Sequence, residues 1–131
     1  MPHIYAHQFA DEFQHYAANN MVATDFDSLT GQWAAQGTNL YALFRLHTRA
    51  DRPIEEVLGE YYSAFGPAAE EVERYFDYWE EYTMSDPTRF DRAQQEAGVS
   101  RYRSFPAFAW ALYPDELFPP AEAILAEAAE A

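Results

Sequence analysis

Apolar residues return every three or four positions through most of this chain, and Gly, Pro and Asn cut the pattern into stretches of helical length. Residues 4–18 predict a first helix, with Tyr5, Phe9, Phe13 and Tyr16 on one face and Ala6, Ala10 and Ala17 beside it. Asn19-Asn20 is the expected stop, because Asn tolerates the left-handed backbone that ends helices. A second helix is expected from a cap at Thr38 or Asn39 to His47, with Leu40, Leu43, Phe44 and Leu46 apolar. Asp51-Arg52-Pro53 opens a third, since Pro is tolerated in a first turn whose N–H has no helical acceptor. It carries Ile54, Val57, Leu58, Tyr61, Tyr62 and Phe65 and ends at Gly66-Pro67. Residues 68–82 are the clearest amphipathic stretch, with Val72, Tyr75, Phe76, Trp79 and Tyr82 inward and Glu70, Glu71, Glu73, Asp77, Glu80 and Glu81 outward. Shorter helices are expected over 87–97, over 106–113 and from Pro120 onward.

Some stretches break this rhythm. Residues 21–26 (MVATDF) are short and rich in β-branched side chains, so they predict a strand. Residues 27–37 gather Ser, Thr, two Gly and two Gln around Trp33 and predict a loop, and residues 99–105 are expected to be irregular or extended. The expected fold class is therefore mainly α, a helical array with one short strand, in a single unit over residues 1–131. A lone strand poses a physical problem, because its main-chain donors and acceptors need partners along both edges. Either the segment is not a strand, or its neighbours lie in polypeptide outside this chain.

Composition narrows the function more than the fold. A content 49% hydrophobic and 18% aromatic can fill a core, which argues against disorder in spite of a net charge of −14. That charge, with a pI near 4.4, repels phosphate and argues against a nucleic-acid partner. No apolar run approaches the ~18 residues of a membrane span. The start, MPHIYAHQF, lacks a basic region followed by an apolar stretch, so no signal peptide is expected, and the compartment stays open. The absence of Cys removes thiol nucleophiles and cysteine metal ligands. All 8 basic residues are Arg, as a GC-rich coding bias or a high-salt cytoplasm would give.

Residues 29–82 carry a resemblance. "GQWAAQGTNLYALFRL" followed by "RPIEEVLGEYYSAFGPAAEEVERYFDYWEE" resembles the C-terminal part of a bacterial glycoside-hydrolase-like family (domain of unknown function 4838). The shared feature is a Gly-Pro-Ala-Ala segment between two helices, here Phe65-Gly66-Pro67-Ala68-Ala69, and the terminal "YPDELFPPAEAILAEAAEA" is similar to the family's trailing helix. The resemblance implies the late β/α units and C-terminal helices of a (β/α)8 barrel. Residues 1–50 would be a late β/α segment and 51–131 a helical extension, with 27–37 at the substrate face. A barrel needs about 250 residues, so this chain would supply scaffold and a sugar-binding loop without the catalytic pair. Its partners would be carbohydrate through the parent barrel, and the missing barrel segment or a second copy of itself. No cofactor is implied.

Several side chains invite chemistry. Asp25 and Asp27, two apart on a strand, would sit ~6.5–7 Å apart, at the lower edge of the ~6.5–9.5 Å of inverting glycosidases. Both would approach a sugar from one side, so they stand as loop-capping or sugar-binding carboxylates. Trp33 is either a sugar platform or a plug for the core, and Gln32, Gln36 and Asn39 either donate to sugar hydroxyls or solvate the loop. His3, His7, Asp11 and His15 step by four, a spacing that suits metal ligation, but the series drifts around the helix and surface His–Asp pairing is expected instead. Arg89, Arg92, Arg101 and Arg103 are the basic cluster, expected to pair with the acidic helices or to form an anionic-sugar subsite. The stripe of Tyr75, Phe76, Trp79 and Tyr82 is expected to be core. The alternative to a barrel segment is an acidic helical module for protein interaction. A barrel segment would leave an apolar face open on 4–18 or 39–47, whereas the module would bury its stripes.

Overall fold

The structure, a computed structural model, describes residues 3–25, 32–99 and 105–131. Among them are seven α-helices and no strand. They are α1 (Ala6–Ala18), α2 (Trp33–Thr48), α3 (Ile54–Ser63), α4 (Ala69–Met84), α5 (Arg89–Glu96), α6 (Phe105–Leu112) and α7 (Phe118–Glu130). Short 3-10 turns at Gly66–Ala68 and Asp115–Leu117 lead into α4 and α7. None of the described helices is long and apolar enough to cross a membrane.

The expected strand is corrected. Residues 21–25 have no regular structure, and Phe26 lies outside the described residues. Val22 is 98% exposed, so the preference of Val and Thr for a half-buried pleated surface has no surface to act on. The segment is fastened by side chain, the Thr24 hydroxyl against His47 Nε2 of α2. Water serves an exposed main chain, so nothing in this segment calls for strand neighbours from elsewhere.

The expected loop over 27–37 is corrected as well. Residues 27–31 lie outside the described residues, but α2 already begins at Trp33 and bends at Gln36, whose φ of −147° and ψ of 16° are not helical. Gly37 follows because of a close approach. A Cβ there would sit 2.1 Å from the Tyr61 hydroxyl, and that ring is hemmed in by Tyr41, Tyr62, Phe65 and Phe76. The glycine is a notch for an aromatic ring rather than a sign of loop.

The other helix ends follow local chemistry. Asn20 takes a φ of 69° after α1, and the Met21 N–H donates to the Tyr16 carbonyl at 3.0 Å. Gly66 (φ 59°) and Gly98 (φ 66°) close α3 and α5 in the same backbone region. Pro53 caps α3, with Glu55 and Glu56 in its first turn, where carboxylates suit the positive end of a helix.

One core joins these helices. Ile4, Ala6, Ala10 and Phe13 of the N-terminal segment are buried, as are Leu40, Leu43 and Leu46 of α2, so α1 buries its alanine side and Phe13, while Tyr16 of the expected stripe stays 58% exposed and Tyr5 and Phe9 are half-buried. Phe44 is the exception on α2, at 51% exposure. Further along, α2 packs on α3, α3 on α4, α4 on α7 and α5 on α6. Trp79, 1% exposed, sits at the centre of α4 with Tyr75, Tyr78, Tyr82, Tyr113 and Phe118 around it, mostly edge to face. Two phenols fasten α4 to the C-terminal part: Tyr78 donates to the Leu117 carbonyl at 2.9 Å, and Tyr82 to that of Leu112.

Candidate functional site

Where the C-terminal end of α4 faces α1, the helices leave a cavity of about 700 Å³. Tyr5 and Phe9 form one wall, from the start of α1. Tyr82 and Met84 come from the last turn of α4, Phe90 from α5, and Phe105, Leu112 and Tyr113 from α6 and its end. The rings support one another: Phe90 and Phe105 lie 5.2 and 5.5 Å from Phe108, and Tyr113 lies 6.1 Å from Tyr82. His3, Gln8, Glu12, Gln32, Gln36, Thr83, Asp86 and Arg89 add polar groups.

The position of the first wall depends on Asn39. Its amide accepts from the Tyr5 N–H at 3.0 Å and donates to the His3 carbonyl at 2.7 Å, which clips the approach to α1 against α2. Asn39 therefore shapes the cavity from behind without lining it. Of the six residues singled out for sugar binding, Gln32 and Gln36 line the cavity. Trp33 does not, and is 46% exposed at the start of α2. Asp25 is exposed on the irregular segment, and Asp27 lies outside the described residues.

Among the described residues the cavity has one guanidinium, that of Arg89. Arg89 lies with its guanidinium carbon 3.9 Å from the centre of the Tyr82 ring, donating to the Tyr82 carbonyl and, at 2.9 Å, to the Ser85 hydroxyl. Asp86 is occupied. Its carboxylate accepts the Thr88 hydroxyl and N–H and faces Arg92 at 2.6 Å, and these donors hold its pKa down at about 2. Glu12 is exposed and accepts from Gln8. Burial pushes the Tyr113 phenol up to about 12 and raises that of Tyr82, so both keep their protons at neutral pH. Burial lowers the pKa of His3, which favours the neutral ring.

The histidine series is dispersed. His3 faces the cavity, whereas His7 takes its carboxylate from α4 rather than from Asp11, a correction to the expected surface pairing. Glu80 Oε1 accepts the His7 backbone N–H at 2.8 Å and Oε2 meets Nδ1 at 2.9 Å. Because an ionised carboxylate can only accept, Nδ1 carries the hydrogen. That bond raises the His7 pKa against the opposing effect of burial, with the charges of Glu80, Glu55 and Asp77 adding to it. Among the described residues no group of three or more His, Asp or Glu is placed to hold a metal ion.

In the basic cluster, Arg92 pairs with Asp86 of the turn before α5 and not with an acidic helix, Arg89 has no ion pair among the described residues, and Arg101 and Arg103 lie outside the described residues. Periodicity placed Tyr82 and Phe9 in the core. It carried no sign that they also wall a cavity. The chain matches no family model, no curated protein and no solved structure.

Proposed function

We propose that this chain is a binding domain, not catalytic by itself, whose cavity takes a ring-shaped small molecule of the carbohydrate class. The observation that carries this reading is the cavity between α1, α4, α5 and α6, with aromatic walls and amide, hydroxyl and guanidinium groups among them. Its volume falls within the ~300–1,000 Å³ of small-molecule sites. Aromatic faces cover the C–H faces of a pyranose while Gln32 and Gln36 reach hydroxyls. The expectation drawn from residues 29–82, a glycoside-hydrolase-like segment, points to the same ligand class.

Hydrolysis asks for a protonated and an ionised carboxyl flanking the bond. The carboxylates lining the cavity among the described residues are Glu12 and Asp86, and Asp86 is held ionised by Thr88 and Arg92. No aryl-glycoside turnover by the purified chain is expected. The binding reading is tested by methyl labelling. The chain has three methionines, and Met84 lines the cavity while Met21 does not. Titration with neutral disaccharides should move the Met84 methyl resonance and leave that of Met21 in place. A Met84 signal that stays still across the millimolar range overturns the proposal.

A further inference from the structure

Among the described residues are six arginines, and five of them are ion-paired: Arg45 and Arg52 with Glu60, Arg49 with Asp51, Arg74 with Glu127, and Arg92 with Asp86. Arg89 has no ion pair among the described residues, although the chain holds 22 acidic residues against 8 basic ones. Among the described arginines it is also the one that lines the cavity. Its guanidinium is set in place by the ring and carbonyl of Tyr82 and by Ser85, and those two hydrogen bonds leave further N–H donors. The nearby Asp86 is matched by Arg92, so it does not cancel the Arg89 charge.

We infer that the cavity's ligand carries a carboxylate on its ring and that Arg89 receives it. This rests on the binding reading above and names the ligand's charge. A held guanidinium loses less freedom on binding than a mobile one, and its planar fork matches the two oxygens of a carboxylate. The ring of the ligand then lies between the Tyr5 and Phe9 wall and the Phe90 and Phe105 wall, beside the Arg89 guanidinium that covers Tyr82. Sugar acids and aromatic acids share this chemistry, and the test separates them.

The experiment titrates native protein, with the Met84 methyl as readout, against glucuronate, its methyl ester, benzoate and methyl benzoate. A charge-assisted bond of the usual strength gives an acid about tenfold or more over its ester. Glucuronate bound at least tenfold tighter than its ester supports the inference with a sugar acid as source. The same preference seen only for benzoate supports it with an aromatic acid, and removes the carbohydrate class from the binding reading. Esters that bind as well as their acids overturn the inference and leave the binding reading standing. No response to any of the four overturns both. Arg89→Gln, checked for an unchanged melting profile, should lose the preference for acids, and Arg89→Lys, which keeps the charge without the planar fork, should weaken it. A preference retained in a folded Arg89→Gln protein also overturns the inference.

Discussion

Helix α1 meets α4 in two different ways. On one side Glu80, almost fully buried, accepts both the backbone and ring N–H of His7, and the contact is closed. On the other, Tyr5 and Phe9 stand across from Tyr82 and Met84 and the space between them stays open. A buried carboxylate is tolerated only where donors meet it, so the polar side had to close. Aromatic rings carry no such demand. They can bridge to Phe108 and Trp79 behind them and leave a gap in front.

The largest effect should come from the packed end of this comparison. Phe13 and Phe9 share α1, but Phe13 is buried in the core and Phe9 borders the cavity. Phe13→Ala is expected to cost about 3–4 kcal/mol and Phe9→Ala roughly 1 kcal/mol in denaturant unfolding, because a ring beside a void has fewer contacts to lose. Equal costs would contradict an open cavity. Next, Glu80→Ala strips the acceptor from the His7 backbone N–H and should cost about 2 kcal/mol, read as a lowered midpoint in urea. Gly37→Ala drives a methyl into the boxed-in Tyr61 ring, and about 1–2 kcal/mol of destabilisation is expected.

The smallest effect is the dependence on pH. His7 has a raised pKa when folded, so its contribution is complete below the unfolded value of about 6.5 and fades as pH climbs through the folded one. Stability should therefore fall modestly as pH rises above about 6.5, whereas His3, lowered by burial, acts in the opposite sense below that value. Glu80→Gln keeps an oxygen for the His7 backbone N–H and removes the charge, so the slope in this window should flatten. A slope that persists in the variant would assign it to another group.

Helices were the legible part of this chain, because their periods and their Asn, Gly and Pro stops are written locally. The strand over 21–26 was misread because β-preference reports a packing surface, and Val22 has none. Trp33 to Gly37 reads as loop because the reason for Gly37, the Tyr61 ring, belongs to the next helix in the chain. The cavity was hidden for a related reason. Tyr82 carries the same spacing whether the helix opposite touches it or stands off, and that distance is set by contacts far apart in sequence, the Asn39 clip on Tyr5 and His3 and the Glu80 bonds to His7. The state of Arg89 was equally invisible, since it depends on Asp86 being taken by Arg92.

Arg89 also draws on the end of a helix. The Tyr82 carbonyl it holds belongs to the last turn of α4, where main-chain oxygens run out of helical donors. The Ser85 hydroxyl donates to the same carbonyl at 2.9 Å, so a ligand that draws the guanidinium outward should leave that oxygen with one donor fewer. Amide-proton exchange just past Met84 should thus report, from the main chain alone, whether the neighbouring chamber is filled.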